Sequence, residues 1–174
     1  MMTCIEPHVR ARSRLFVGAL AGAALGALVA AAPAAGANKA CDLLTGSELE
    51  TALGTKVALR GSGAPGVEMC MGQVPTARVL LRLAAGPAGD GSKERAGLDM
   101  ARKMGAEVEV KTFGPITCST MLPPPSLAEH GFTTACTVRK ANAVAGVEVT
   151  AKTRKGMVSI EKLRPLAELM ASRF

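Results

Sequence analysis

The cysteines are the residues of this chain whose type and number most clearly allow chemistry. Four of them follow the N-terminal segment, and they are Cys41, Cys70, Cys118 and Cys136. In an oxidising compartment an even set predicts disulfides, and four cysteines allow three pairings. Four thiolates would also suit zinc, but zinc sites usually present C-x-x-C pairs, which this sequence lacks. We therefore predict two disulfides, with no metal centre and no cofactor.

A weak internal repeat favours one of the three pairings. Residues 41–54 and 118–131 both begin with Cys and end with Gly, and a further cysteine follows each segment. If the segments are related, Cys41 pairs with Cys70 and Cys118 with Cys136. The repeat also predicts two similar half-units, and a cleft often forms where such units meet.

A methionine pair and a single histidine are the other residues that could indicate a specific function. Met69 and Met71 flank Cys70, and thioether and thiolate ligands suit Cu(I). On a strand the two methionines would share one face, opposite the cysteine, although methionine more commonly fills an apolar core. His130 is the sole histidine beyond the N-terminal segment, so a hydrolase would have to use it. A methionine-based copper-binding protein and a secreted hydrolase using His130 are therefore the alternatives.

Several motifs of common enzyme classes are missing from the sequence. It contains no G-x-S-x-G, H-E-x-x-H or P-loop pattern. His130 precedes Gly131, as a residue at the end of a helix does. We predict that the protein is not an enzyme and has no catalytic residues.

The N-terminal segment predicts export. Arg10, Arg12 and Arg14 precede an uncharged Ala/Gly/Leu run, and Ala35-Gly36-Ala37 has the small-x-small pattern that signal peptidase cleaves. We predict that residues 1–37 are a signal peptide and that residues 38–174 form one domain.

The predicted location is the periplasm, the cell envelope or the medium. An Ala/Gly-rich run makes a poor permanent membrane span, so none is expected after cleavage. A lipid-anchored form is the alternative, because Cys41 lies just beyond the run.

Charge and aromatic content restrict the partners. The chain has 21 basic and 14 acidic residues, which predicts weak attraction to anionic surfaces. The basic residues are not densely clustered, so nucleic acid is not an expected partner. Beyond the N-terminal segment the aromatic residues are Phe113, Phe132 and Phe174. Platforms that stack sugars or bases are therefore nearly excluded.

Helical and strand patterns alternate along residues 38–174. Thr45 and Glu48 form a capping box, which predicts a helix over 46–53 with Gly54 as its stop. Further helices are predicted after Ser92 and after Ser159. The predicted strands are 57–60, 69–73, 78–83, 107–111, 132–138 and 147–152, and the predicted loops are 61–66, 86–91 and 123–125. This order predicts an α+β fold in which helices pack on one face of an antiparallel sheet.

The opening of the domain resembles a known family. Residues 41–45 read Cys-Asp-Leu-Leu-Thr, Ala52-Leu53-Gly54 follow, and Cys70 is the second cysteine. This pattern is similar to that of exported bacterial proteins, many of them actinobacterial lipoproteins, that contain a domain of unknown function. The resemblance covers about the first 35 residues of the domain and implies fold and compartment only. Met71 and Asn38-Lys39-Ala40 stand where members often have a tryptophan and a lipobox.

A proline-rich segment is the predicted contact site. Pro123, Pro124 and Pro125 lie between Cys118 and Cys136, and rigid exposed loops bind at low entropic cost. Alternatively the prolines only shape a connection. The predicted function is an exported, non-catalytic binding domain for a small ligand or an envelope protein.

Overall fold

The fold was analysed in a computed structural model, which describes residues 38–64 and 66–174. The predicted signal peptide, residues 1–37, lies outside the described residues. The helices are α1 (Lys39–Asp42), α2 (Gly46–Leu53), α3 (Ser92–Lys103) and α4 (Ile160–Ala171). The strands are β1 (Ala58–Ala64), β2 (Val67–Val74), β3 (Ala77–Ala85), β4 (Glu107–Phe113), β5 (Ile116–Leu122), β6 (Phe132–Lys140) and β7 (Ala143–Ala151). Two short 3₁₀ helices lie at Pro125–His130 and Arg154–Gly156.

The seven strands of the described residues form one antiparallel sheet in the order β1-β2-β3-β7-β6-β5-β4. Strands β1–β3 form one meander and β4–β7 a second, and β3 pairs with β7 from Ala77↔Ala151 to Ala85↔Ala143. The predicted α+β class with an antiparallel sheet is confirmed. The segments 41–54 and 118–131 adopt different structures, because the first forms α1 and α2 and the second forms β5 and a 3₁₀ helix.

One face of the sheet carries the core. Alternate residues of the central strands are buried there, as the period of two requires, and helices α1, α2 and α4 cover them. The largest buried side chains of this core are Leu44, Leu49, Leu81, Ile160, Leu163 and Met170. The apolar stripe predicted after Ser159 is thus the buried face of α4, and the helix continues through Pro165.

The capping box predicted at Thr45 is present and is joined to α4. Thr45 accepts a hydrogen bond from the Glu48 amide, and Glu48 accepts one from the Thr45 amide. Arg173 then binds both carboxylate oxygens of Glu48, at 2.6 and 2.8 Å. Hydrogen bonds from Arg173 are the main reason that the pKa of Glu48 falls from 4.5 to about 2. The start of α2 and the end of the chain are therefore held together.

Helix α3 departs from the predicted arrangement of the helices. It lies over the opposite face of the sheet, where its Glu94 forms an ion pair with Arg139 of β6. No α3 residue is buried, and the Met100 and Met104 side chains are 58% and 56% exposed. Three of the four described helices, α1, α2 and α4, therefore pack on one face of the sheet, and α3 partly covers the other.

Two further elements differ from the sequence prediction. Strand β5 was not predicted, because its outer face carries Thr117 and Ser119 and its pattern therefore resembles a polar loop. Residues 61–64 continue β1 instead of forming a loop, and Gly61 pairs with Cys70 at the edge of the sheet. Glycine-rich composition predicts a loop, but pairing with β2 determines the conformation here.

Both predicted disulfides are present. Cys41 joins Cys70 and ties α1 to β2, while Cys118 joins Cys136, its register partner on the next strand. Such bonds persist in oxidising, extracellular-type environments. Within the described residues no helix is long and apolar enough to cross a membrane.

Candidate functional site

The second face of the sheet forms a cleft beneath α3, which we call the α3 cleft. It has a volume of about 520 Å³. The register places one residue from each of five neighbouring strands in a row across this face. The row runs Arg82 (β3), Gly146 (β7), Thr137 (β6), Thr117 (β5) and Thr112 (β4). Along the floor, the guanidinium group of Arg82 is thus followed by a glycine without a side chain and then by three threonine hydroxyl groups.

The hydroxyl groups of this floor have no hydrogen-bond partners among the described residues. Thr137 is only 8% exposed, and neither its hydroxyl nor that of Thr117 or Thr112 hydrogen-bonds to another described residue. Ser119, on the next row of β5, is in the same state. The Thr137 oxygen is not among the buried oxygen atoms that lack a partner, so it is open to the cleft. The floor therefore offers accessible hydroxyl groups that can hydrogen-bond to a ligand or to water.

Four arginines line the α3 cleft, and three of them are paired with carboxylates. Arg139 pairs with Glu94, the Nη1 atom of Arg102 lies 2.7 Å from Asp99 Oδ1, and Arg95 lies 3.7 Å from Asp90. Arg82 is the remaining one, and no described carboxylate lies within ion-pairing distance of it.

The position of Arg82 explains why it points into the cleft. Its Nε and Nη2 atoms lie 3.6 Å from the point where a Cβ atom on Gly146 would stand. The guanidinium group therefore lies beside Gly146, the register partner of Arg82 on β7. A Cβ atom at position 146 would be in ordinary van der Waals contact with it.

Small residues keep the cleft open from both sides. Gly97 lies within α3 and lines the cleft, and a Cβ atom added there would meet no atom within 4 Å. Ala135 lies on the floor opposite, next to Ser119 in the register. Neither residue extends a side chain beyond Cβ into the cleft.

Polar contacts near its two ends attach α3 to the sheet. Near the N-terminal end Glu94 binds Arg139, and near the C-terminal end an Arg102 Nη2 atom lies 3.5 Å from the Val108 carbonyl. The helix buries no apolar side chain. It therefore covers the floor of the cleft without merging with it into a second core.

A second cavity, of about 720 Å³, lies at the other face, where α1 and the chain end meet β2 and β3. Leu43, Leu83 and Phe174 line it. It also contains the Glu68 carboxylate, whose buried Oε2 atom has no hydrogen-bond partner. Lys39, Asp42 and Arg173 line this cavity as well, and Arg173 is paired with Glu48. We regard the α3 cleft as the better candidate site, because an unpaired guanidinium group and several free hydroxyl groups share its floor.

The residues singled out in the sequence lie elsewhere. His130 is 69% exposed at the end of a 3₁₀ helix, in a cavity of about 340 Å³ with Arg78 and Lys152. No hydroxyl or thiol of the described residues hydrogen-bonds to it. Pro123, Pro124 and Pro125 join β5 to that 3₁₀ helix and do not line the α3 cleft.

Met69 and Met71 lie on the face of β2 opposite Cys70, as predicted, but Cys70 is part of a disulfide. The Met71 side chain is 43% exposed, whereas Cys70 is fully buried on the opposite face and bonded to Cys41. The thiolate considered for Cu(I) is therefore consumed. Among the described residues no group of three or more His, Cys, Asp or Glu side chains is placed to hold a metal ion.

Sequence reasoning missed the α3 cleft for an identifiable reason. Thr137 was noted as part of a strand, but the face on which it lies depends on the register with β5 and β7. Two glycines were the signal that could have indicated the cleft: Gly97 lies inside a helix and Gly146 inside a strand. Glycine lowers the stability of both kinds of element, so its presence there suggests that space is needed beside the backbone.

These features define a disulfide-bonded α+β domain with a core on one face of its sheet and a polar cleft on the other. Comparison with protein-family models, curated proteins and solved structures gives no match for this chain. The resemblance to exported bacterial proteins therefore stays a prediction.

Proposed function

We propose that this chain is an exported, non-catalytic domain that binds a small molecule in the α3 cleft. The observation that carries the proposal is the row of unpartnered hydroxyl groups on the cleft floor, with Thr137 only 8% exposed. A cavity of about 520 Å³ falls within the range of 300–1,000 Å³ that is common for small-molecule sites.

The glycine in α3 supports this proposal on energetic grounds. Glycine inside a helix lowers stability by about 0.5–1 kcal/mol relative to alanine. At Gly97 an added Cβ atom would meet open space, so packing does not require glycine there. A need to keep the cleft empty for a ligand accounts for a residue that the helix alone would disfavour.

The side chains of the α3 cleft suit binding better than catalysis. Its two carboxylates, Glu94 and Asp99, are both engaged by arginines, so neither is placed as a free general base. Guanidinium and hydroxyl groups hold and orient a ligand through hydrogen bonds. This favours a binding domain over a hydrolase.

Export is part of the proposal. The pattern of residues 1–37 is that of a cleaved signal peptide, and two disulfides suit an oxidising compartment. Expressing the full chain in an exporting bacterial host should yield a protein whose mass starts at Asn38. Alkylation should label no cysteine before reduction and all four afterwards.

The binding function is tested by native mass spectrometry of that exported protein. We expect additional non-covalent mass that is released on denaturation. Gly97→Leu should abolish this mass, because the leucine side chain would occupy the cleft. Ala96→Leu is the matched control, since its neighbouring position on α3 does not line the cleft.

Two results would contradict the proposed function. One is the same bound mass in Gly97→Leu as in Ala96→Leu, since the ligand would then lie elsewhere. The other is a wild-type protein without bound mass that also fails to take up any compound from an extract of its host's envelope.

A further inference from the structure

We infer that the ligand of the α3 cleft has one compact anionic head, a carboxylate or phosphate group, attached to an apolar body. This inference rests on the proposed function, because it specifies the chemistry of the molecule bound in the same cleft. It assigns the head to Arg82 and Thr137 and the body to the apolar side chains beneath α3.

The head group follows from the unpaired guanidinium of Arg82. Guanidinium groups present pairs of N–H donors that match carboxylate and phosphate oxygens. Arg82 packs against Gly146, and Thr137 pairs with Gly146 from the next strand; the Thr137 hydroxyl has no partner among the described residues. Thr117 is the next residue of the row and supplies another free hydroxyl. An anion above Gly146 would lie between Arg82 and Thr137 and could accept hydrogen bonds from both.

The number of free charges argues for a single anionic head. Arg95, Arg102 and Arg139 are each neutralised by a neighbouring carboxylate, so one unpaired cation faces the cleft. A polyanion such as nucleic acid would require several free cations along its length. A neutral sugar would leave the charge of Arg82 without a counterion, and no aromatic residue lines the cleft to stack on a sugar ring.

The body of the ligand follows from the rest of the lining. Val110 on β4 and Met121 on β5 lie further along the cleft than the Arg82 row, and Leu98 of α3 also lines the cleft. Ala135 on β6 leaves room between them. Apolar atoms of a ligand would be removed from water here, and burial of apolar surface is favourable. Head and body therefore meet polar and apolar parts of the same cleft.

Calorimetric titration of the exported protein, after its bound material is removed, tests this chemistry. The probes are decanoate and decyl phosphate as anionic amphiphiles, decanol as the neutral analogue and inorganic phosphate as the head alone. We expect decanoate or decyl phosphate to bind at least tenfold more tightly than decanol and than inorganic phosphate. Shortening the chain by one methylene should weaken binding about fourfold.

Two variants locate the head group. Arg82→Gln should weaken decanoate or decyl phosphate binding by about 10- to 100-fold, the usual range for a hydrogen bond to a charged group. Arg78→Gln is the matched control, because Arg78 is exposed on the same face of β3 but does not line the α3 cleft. It should change affinity less than twofold. Thr137→Val should weaken the same binding while leaving the protein folded, since its hydroxyl has no partner to lose.

The outcomes separate this inference from the proposed function. If decanol binds as tightly as decanoate, or Arg82→Gln binds like the wild type, the anionic head is wrong. If inorganic phosphate binds as tightly as decyl phosphate, the apolar body is wrong. In either case the proposed function stands as long as Gly97→Leu still abolishes the binding. If Gly97→Leu binds every probe as the wild type does, both are overturned.

Discussion

Removal of either disulfide should cost this domain a large part of its stability. Cys41–Cys70 and Cys118–Cys136 join residues 29 and 18 positions apart. The chain-entropy relation for cross-links gives about 3.6 and about 3.2 kcal/mol for loops of these lengths. Alanine substitution adds roughly 1 kcal/mol for lost packing, because Cys70, Cys118 and Cys136 are fully buried. We therefore expect each double variant to lose about 4–5 kcal/mol, against a total of about 5–15 kcal/mol for a typical domain.

The assay is urea unfolding followed by far-ultraviolet circular dichroism, because the chain has no tryptophan or tyrosine to report by fluorescence. The variants are Cys41→Ala/Cys70→Ala and Cys118→Ala/Cys136→Ala. Free energies of unfolding must be compared, not midpoints, since an unfolded chain without the cross-link is more expanded and raises the m-value. The melting temperature should fall by at least 10 °C.

Hydrogen exchange adds a local readout to this experiment. Helix α1 has only four residues, so its bond to β2 is a major part of what fixes it. The first variant should lose amide protection in α1 and β1, and the second in β5 and β6. A loss of less than about 1 kcal/mol in both variants, or free thiols in the wild-type exported protein, would refute this reasoning.

Three further predictions concern individual side chains. Glu68→Leu should raise the free energy of unfolding by about 1 kcal/mol in urea titration, because it replaces an acid with an unpartnered buried oxygen by an apolar side chain; an unchanged or lower value would show that Glu68 has a partner in solution. Gly97→Ala should stabilise the protein by about 0.5–1 kcal/mol in the same assay, and a destabilised variant would mean that packing requires the glycine. Since the pKa of Glu48 is about 2 in the fold against 4.5 ordinarily, its pairing stabilises above pH 4.5 and is lost as the pH falls towards 2. Arg173→Gln should make the acid loss of stability shallower and return the Glu48 pKa, followed by NMR, towards 4.5, whereas Lys162→Gln should change neither.

The sequence predicted the elements that carry their own local signals. The capping box at Thr45 and the αL glycine at Gly54 mark both ends of α2, and the helix runs between them. Helix α4 follows the N-cap Ser159 in the same way. Strand β7 was predicted from its alternation of apolar and polar residues. In these segments the conformation that the local sequence favours is the one that packs in the folded domain.

The elements that were missed depend on contacts distant in sequence. Strand β5 has threonine and serine on its outer face, and only pairing with β4 and β6 makes it a strand. Helix α3 was predicted, but its face of the sheet was not, because that choice depends on the ion pair between Glu94 and Arg139. The α3 cleft could not be predicted because it depends both on strand β5 and on the face of the sheet that α3 covers. No motif in the linear sequence could have brought Arg82 and Thr137 into one row.

The most direct test of the account is a titration of the ¹⁵N-labelled exported protein, freed of bound material, with decanoate, followed by amide chemical shifts. The account predicts that the shifts concentrate at Arg82, Gly146 and Thr137 and on the inner side of α3, while Arg78 and His130 stay unchanged. The same titration of Gly97→Leu should produce no such shifts. Shifts centred on the cavity around Glu68, on His130, or on no part of the described chain would contradict the account.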